Sequence, residues 1–303
     1  MARPKINHKI LIYDIEVPHL KARVWRLGDQ PVRHDQLLPS ANEFHILTIA
    51  YKWYHQSEIH ILDCGKDGQN EKQMIMDFDK LIKEADVVIG KNNHRFDNKF
   101  LNTLRLAHSN NPMPNWCYKS DDLESQIRRY FALPSYSLDY LSNISGQGGK
   151  VKMERSDWIQ IEDYIELNKI SKFVKKSSDL NEISKHFYKK SAMEVKKEGK
   201  KAFNKMMFYN KKDVKDTDAL LVKVMPHVQL KYNAATAITL TNKALAFACI
   251  TCGSNQVCFT GTVCRGAQNR AEFYCQAHKG YAGSRPFVYG GNHNKRYTGP
   301  MGK

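Results

Sequence analysis

The apolar positions of this chain fall into short blocks whose period changes along the sequence. Ile10-Leu11-Ile12-Tyr13 is a continuous apolar run after a basic start, which predicts a buried strand. Residues 46–53 and 58–62 predict two further strands, joined as a hairpin across 54–57. The period then lengthens. Met74, Phe78, Leu81 and Ile82 recur at helical spacing within 71–85, and residues 86–90 return to a strand ending in the turn residue Gly90. Three strands, a helix and another buried strand predict an α/β fold, a mixed sheet with helices packed on it.

Further along, residues 96–108 and 121–131 read as helices, and 137–144 as a short helix closed by Gly146, Gly148 and Gly149. From 165 to 206 lysine dominates, interrupted by Glu182, Glu194 and Glu198. Any one of these lysines belongs to a solvated helical hairpin, whereas the block as a whole is a candidate wall of a nucleic-acid groove. Residues 205–225 predict one amphipathic helix closed by Pro226, and 233–248 bridge to a cysteine-rich end. The expected organisation is one domain over 1–232, with a Lys-rich helical insertion near 165–203, and a small module over 245–303.

Composition narrows the partner. A formal charge of +16 on 303 residues and a pI near 9.4 point to a polyanion, and nucleic acid comes first. With 42% hydrophobic and 11% aromatic residues the chain can bury a core. No apolar run approaches bilayer length and the first eight residues lack a signal-peptide core, so the expectation is a cytoplasmic protein without a membrane partner.

Three acidic motifs follow in order. Asp14-Ile15-Glu16 continues the first strand, and alternation puts its two carboxylates on one face, about 7 Å apart. Carboxylates held together repel unless a cation lies between them, and Mg²⁺ or Mn²⁺ takes oxygen ligands. On its own the pair is as well read as an ordinary strand end. Asn93-His94-Arg95-Phe96-Asp97 follows a later strand and opens a helix, where Asp97 is also explained as a dipole-favoured acid of the first turn. Tyr209 and Asp213 lie four apart on the late helix and share a face.

Together these motifs resemble those of the DnaQ-like 3′–5′ exonucleases of the ribonuclease H-like superfamily. Tyr209 marks the similarity as one to the DEDDy branch, and the stretches around Asp121-Asp122-Leu123, Ser137-Leu138-Asp139-Tyr140-Leu141 and Met206-Met207-Phe208-Tyr209-Asn210 together resemble stand-alone phage exonucleases. The likeness covers roughly the first 230 residues. It departs at Phe100, where a larger aromatic is common, and in the lysine block.

The resemblance implies metal-dependent hydrolysis at nucleic-acid 3′ ends, with single-stranded DNA favoured and 5′-mononucleotides released. Asp14, Glu16 and Asp213 would hold the water-activating ion of a Mg²⁺ or Mn²⁺ pair, Asp14 would bridge to the second ion, and Asp97 would support it. Tyr209 would orient the attacking water, because a phenol with an ordinary pKa of about 10 is mostly protonated. Asn93 and Phe96 would grip the terminal nucleotide. Replication or recombination proteins are the implied partners, and host cytoplasm the location if the protein is viral. An exoribonuclease and a non-catalytic nucleic-acid binder on the same scaffold are the alternatives. His94 falls in the second motif rather than the third, so it reads as a cleft-edge histidine.

Five of the seven cysteines crowd between Cys249 and Cys275. Cys249-x-x-Cys252 and Cys275-x-x-His278 are two short-spaced ligand pairs, which suit one tetrahedral Zn²⁺ in a ribbon with strands at 256–262 and 271–274. Cys258, expected in a strand, and Cys264, expected in a turn, are each able to replace His278.

Overall fold

A computed structural model of the chain describes residues 9–24, 31–37, 45–108, 119–148, 151–228, 256–265, 268–277 and 279–286. Its first strand, β1 (Ile10–Glu16), sits at the centre of a five-stranded mixed sheet. β2 (Thr48–Trp53) lies antiparallel to β1, and β3 (His60–Asp63) lies antiparallel to β2. On the other side of β1 come β4 (Val87–Gly90) and β5 (Ser120–Asp122), both parallel to it, giving the order β3-β2-β1-β4-β5. A mixed sheet in this order, flanked by helices, is compatible with the ribonuclease H-like fold.

Seven α-helices lie between and after these strands in the described residues: α1 (Glu71–Glu84), α2 (Asp97–His108), α3 (Leu123–Tyr130), α4 (Leu138–Ser145), α5 (Arg155–Ser171), α6 (Ser177–Tyr188) and α7 (Ala192–Val224). The alternation of β1 divides the core between the two faces of the sheet. Ile10 and Ile12 pack with Leu123, Ile127, Leu141, Val214, Leu221 and Val224 from α3, α4 and the second half of α7. Leu11, Tyr13 and Ile15 point the other way, toward Met74 and Phe78 of α1 and Leu101 of α2. The middle of α7 joins that second core through Ala202, Phe203 and Met206, so α7 passes from one core to the other. A third, small cluster of Leu167, Ala192 and Val195 holds α5 to the start of α7.

The strands expected at the N-terminus and the helices at 71–85, 96–108 and 137–144 are present within a few residues of the expected bounds. Ser137 caps α4, accepting from Tyr140 N, and Gly146 closes it at φ 79°, a conformation glycine adopts without strain. Two expectations need correction. Asp121 and Asp122 do not begin a helix; they end β5, and the Asp122 side chain caps α3 by accepting from the backbone of Glu124 and Ser125. The late helix starts at Ala192 rather than near 205, because Ser191 and Glu194 form a capping box well upstream. The lysine block is therefore the end of α5, all of α6 and the start of α7.

The C-terminal residues form an antiparallel sheet of β6 (Val257–Arg265), β7 (Gln268–Cys275) and β8 (Gly280–Pro286), in that order. Cys275 and the partly buried Val257 and Phe273 pack with the core that contains Ile10 and Ile12. Among the described residues no helix is long and apolar enough to cross a membrane.

Candidate metal centre

On the face of β1 that carries Ile10 and Ile12, the next two positions are Asp14 and Glu16. The apolar pattern thus turns acidic at the C-terminal end of the strand, where α7 crosses. There Asp213 meets the strand: one carboxylate oxygen from each of Asp14, Glu16 and Asp213 lies within 4.8 Å of the other two. Asp14 and Glu16 are half-buried and Asp213 is buried. Two unit negative charges at this separation repel by about 3–4 kcal/mol at an effective dielectric of about 20. A divalent cation on this hard, all-oxygen donor set would relieve that repulsion, and the residues fit Mg²⁺ or Mn²⁺ on these grounds. It is the one such group of metal-ligating side chains among the described residues.

Asn210, fully buried one turn before Asp213, sets the geometry of this group. Its Nδ2 donates to Asp14 Oδ2 at 2.7 Å, and its Oδ1 accepts from Thr48 Oγ1 at 3.1 Å. Thr48 is the register partner of Glu16 across β1 and β2, so one amide ties α7 to both strands beneath the carboxylates. Asn210 lies in a segment that carries the resemblance, but it was not among the expected site residues. Its signal was its i, i+3 relation to Asp213 on the same helix face.

Two more acids on α7 are buried near the group, and each is held by a lysine. Lys212 Nζ donates to both oxygens of Asp216, at 2.5 and 2.6 Å, and Ser142 Oγ donates to the same carboxylate. Lys52, buried in β2, reaches Asp218 at 2.5 Å. Asp213 shares its space with the carboxylates of Asp14 and Glu16.

Asp97 opens α2 and is buried. The backbone groups of the odd residues of β1 face β4, but the ladder between those strands ends at Ile12 and Ile89. Asp97 takes over where β4 stops, its Oδ1 accepting from Ile15 N at 3.2 Å. It therefore grips the backbone between Asp14 and Glu16, although it stands outside the group of three. Burial pushes its carboxyl up to about 7; the nearby charge of Asp122 adds to the rise, and the backbone N–H groups of Asp97 and Ile15 oppose it. Tyr209 is half-buried, four residues before Asp213 on α7.

The residues expected to hold a terminal nucleotide divide. Phe96 is 40% exposed beside Asp97, its ring centroid 4.7 Å from that of Phe100. Asn93 is fully buried, with Nδ2 donating to Ser120 Oγ at 3.1 Å. A Cβ on Gly90 would stand 2.7 Å from the Cβ of Asn93, so the loop folds back over the glycine and turns this side chain inward. The Asn93 side chain therefore faces the loop and β5. His94 is tied to β5, its Nε2 lying 3.0 Å from Ser120 O.

Of the expected zinc ligands, Cys275 is buried at the end of β7, while Cys249, Cys252 and His278 lie outside the described residues. Cys264 falls in β6 rather than in a turn, because the strand runs on to Arg265.

No protein-family model and no curated protein matches the sequence. Among solved structures, the family B DNA polymerase from the hyperthermophilic archaeon Pyrobaculum calidifontis is similar at 17% sequence identity and a TM-score of 0.42. The match covers 72% of this chain and 25% of the polymerase chain.

Proposed function

We propose that the protein is a metal-dependent 3′–5′ exonuclease of the DEDDy type, acting on single-stranded DNA ends. The observation that carries this reading is the convergence of Asp14 and Glu16 from β1 and Asp213 from α7, almost two hundred residues further on, on one 4.8 Å space beside the buried Asp97. A purely structural site has little reason to gather three carboxylates within 4.8 Å of one another. The basic charge of the whole chain suits a polyanionic substrate.

Asp14, Glu16 and Asp213 would hold the divalent ions, with Asp97 in support. When bound, such ions supply an activated water and neutralise charge on the leaving 3′-oxygen. Asn210 fixes the orientation of the Asp14 carboxylate, and Asp97 fixes the strand backbone between the two β1 acids. Tyr209 orients the attacking water from the adjacent helix turn. Phe96 stacks against the terminal base, a contact that tolerates any sequence. A second ion is part of the same proposal: one Zn²⁺ on Cys249, Cys252, Cys275 and His278, supported by their paired spacing. Metal analysis should then find one zinc per chain, lost in Cys249→Ser.

The test is incubation of 3′-labelled and 5′-labelled single strands with Mg²⁺, Mn²⁺ or EDTA, with RNA run in parallel. Mononucleotides released from the 3′ end, only with metal, are the expected product. Intact strands that still shift in a gel would instead identify a non-catalytic binder, and preferential loss of RNA would identify an exoribonuclease.

A further inference from the structure

The end of the α5–α7 pair remote from the carboxylates carries chemistry that the active site does not use. The two helices run antiparallel. Leu167 near the end of α5 packs on Ala192 and Val195 at the start of α7, while further along Gly199 lies against Gln160 and Tyr164. α6 lies across this end: Leu180 and Tyr188 pack against the same cluster, and Asn181 Oδ1 accepts from Ala192 N.

Three large apolar side chains at this end face solvent. Phe173, just past α5, is 83% exposed, Phe187 on α6 is 68% exposed, and Met193 in the first turn of α7 is 79% exposed. Around them, residues 172–201 carry ten lysines and four acids. Lys172 and Lys190 are spoken for, paired with Asp67 and Glu198. Lys175, Lys176, Lys185 and Lys197 are exposed, with neither an ion pair nor a side-chain hydrogen bond among the described residues. Exposed aromatic rings set among lysines outside any ion pair fit one kind of partner, a single-stranded nucleic acid whose bases stack while its phosphates meet the lysines.

We propose that this end of the helical pair is an outlying docking surface for single-stranded nucleic acid, separate from the carboxylate site. Met193 precedes Asp213 by twenty residues of one helix, a separation of about 30 Å along its axis. At about 3.4 Å per nucleotide of a duplex-like stacked strand, that span corresponds to at most roughly nine nucleotides upstream of the end being cut, and to fewer in an extended strand. Long strands then engage both places, whereas short ones reach the carboxylates alone. The inference rests on the nucleic-acid reading above but not on hydrolysis.

The experiment is fluorescence anisotropy in EDTA with labelled single strands of about 4 and about 30 nucleotides, on the full chain. Two variants are compared with the wild type: Phe173→Ala with Phe187→Ala, and a fourfold change of Lys175, Lys176, Lys185 and Lys197 to Ala. All six side chains are exposed, and thermal melting checks that the fold is kept. The long strand should bind the aromatic variant about tenfold more weakly. With the fourfold lysine variant, the slope of log K against log salt for the long strand should be shallower by about 3. Binding of the short strand should stay unchanged in both. Unchanged long-strand binding overturns the proposal and leaves the patch for a protein partner, and equal losses for both lengths overturn it as a separate surface. Retained long-strand binding in a protein that hydrolyses nothing with metal would instead sink the exonuclease reading and leave this one standing.

Discussion

The Asn210 amide donates to Asp14 Oδ2 at 2.7 Å and is itself held by Thr48 Oγ1. This contact makes the helix and the strand a single unit: Asp14 cannot turn without breaking its hydrogen bond to the fully buried Asn210. Residues that orient a metal ligand typically matter by about 10–100-fold in affinity or activity. Asn210→Ala should therefore lower the single-turnover rate by about that factor and raise the Mg²⁺ concentration for half-activity. Asn210→Asp, which sets another negative charge against Asp14, should lower it further. Unchanged metal dependence in both variants would reduce Asn210 to a packing residue.

Gly199 of α7 lies directly against Gln160 and Tyr164 of α5. A Cβ there would meet Tyr164 Cβ at 2.2 Å and Gln160 O at 2.6 Å. Helix propensity alone makes Gly199→Ala stabilising by about 1 kcal/mol. The backbone contact should reverse that sign, costing about 1–3 kcal/mol. The shift of the urea midpoint decides, and a more stable variant would mean that the helices part readily.

Glu71 is a buried carboxylate that accepts from Ile46 N at 2.8 Å and lies against His45 and His108, at 3.3 and 3.0 Å. Burial acts to raise its pKa, but these hydrogen bonds outweigh burial and hold it below the ordinary carboxylate value. A folded value below the unfolded one gives stability that is fully present above the unfolded pKa of about 4.3. That stability is lost as pH falls through the folded value. Glu71→Gln should cost about 1–3 kcal/mol near neutrality and flatten the acid limb of the stability curve. Urea unfolding at pH 7 and at steps from about pH 5 to about pH 3 reads both effects.

How far these features could be read from the chain depends on how local their causes are. β1, α1 and β4 carry their apolar periods within a few residues, and Asp14 and Glu16 inherit their shared face from the same alternation. β5 offers no such signal. It is Ser120-Asp121-Asp122, three polar residues buried only because β4 pairs with them and α3 begins on Asp122. The length of α7 was hidden by its lysines, whose charge masks one continuous helix face running from Ala192 to Val224. Asn93 stood in a suggestive motif, but its direction depends on a contact with Gly90 that no spacing reveals. Asn210 is the converse case. An asparagine inside a helix has no motif of its own until Asp14, almost two hundred residues away, is brought against it.

The claim beneath the whole account is that Asp14, Glu16 and Asp213 act as one cation site. Calorimetric titration with Mn²⁺ of the wild type, Asp14→Asn, Asp213→Asn and the double variant addresses it without requiring turnover. The account predicts binding in the wild type, a loss of at least about tenfold in either single variant, and little further loss in the double. Wild-type binding in both single variants, or losses that simply add as they do for independent sites, would contradict it.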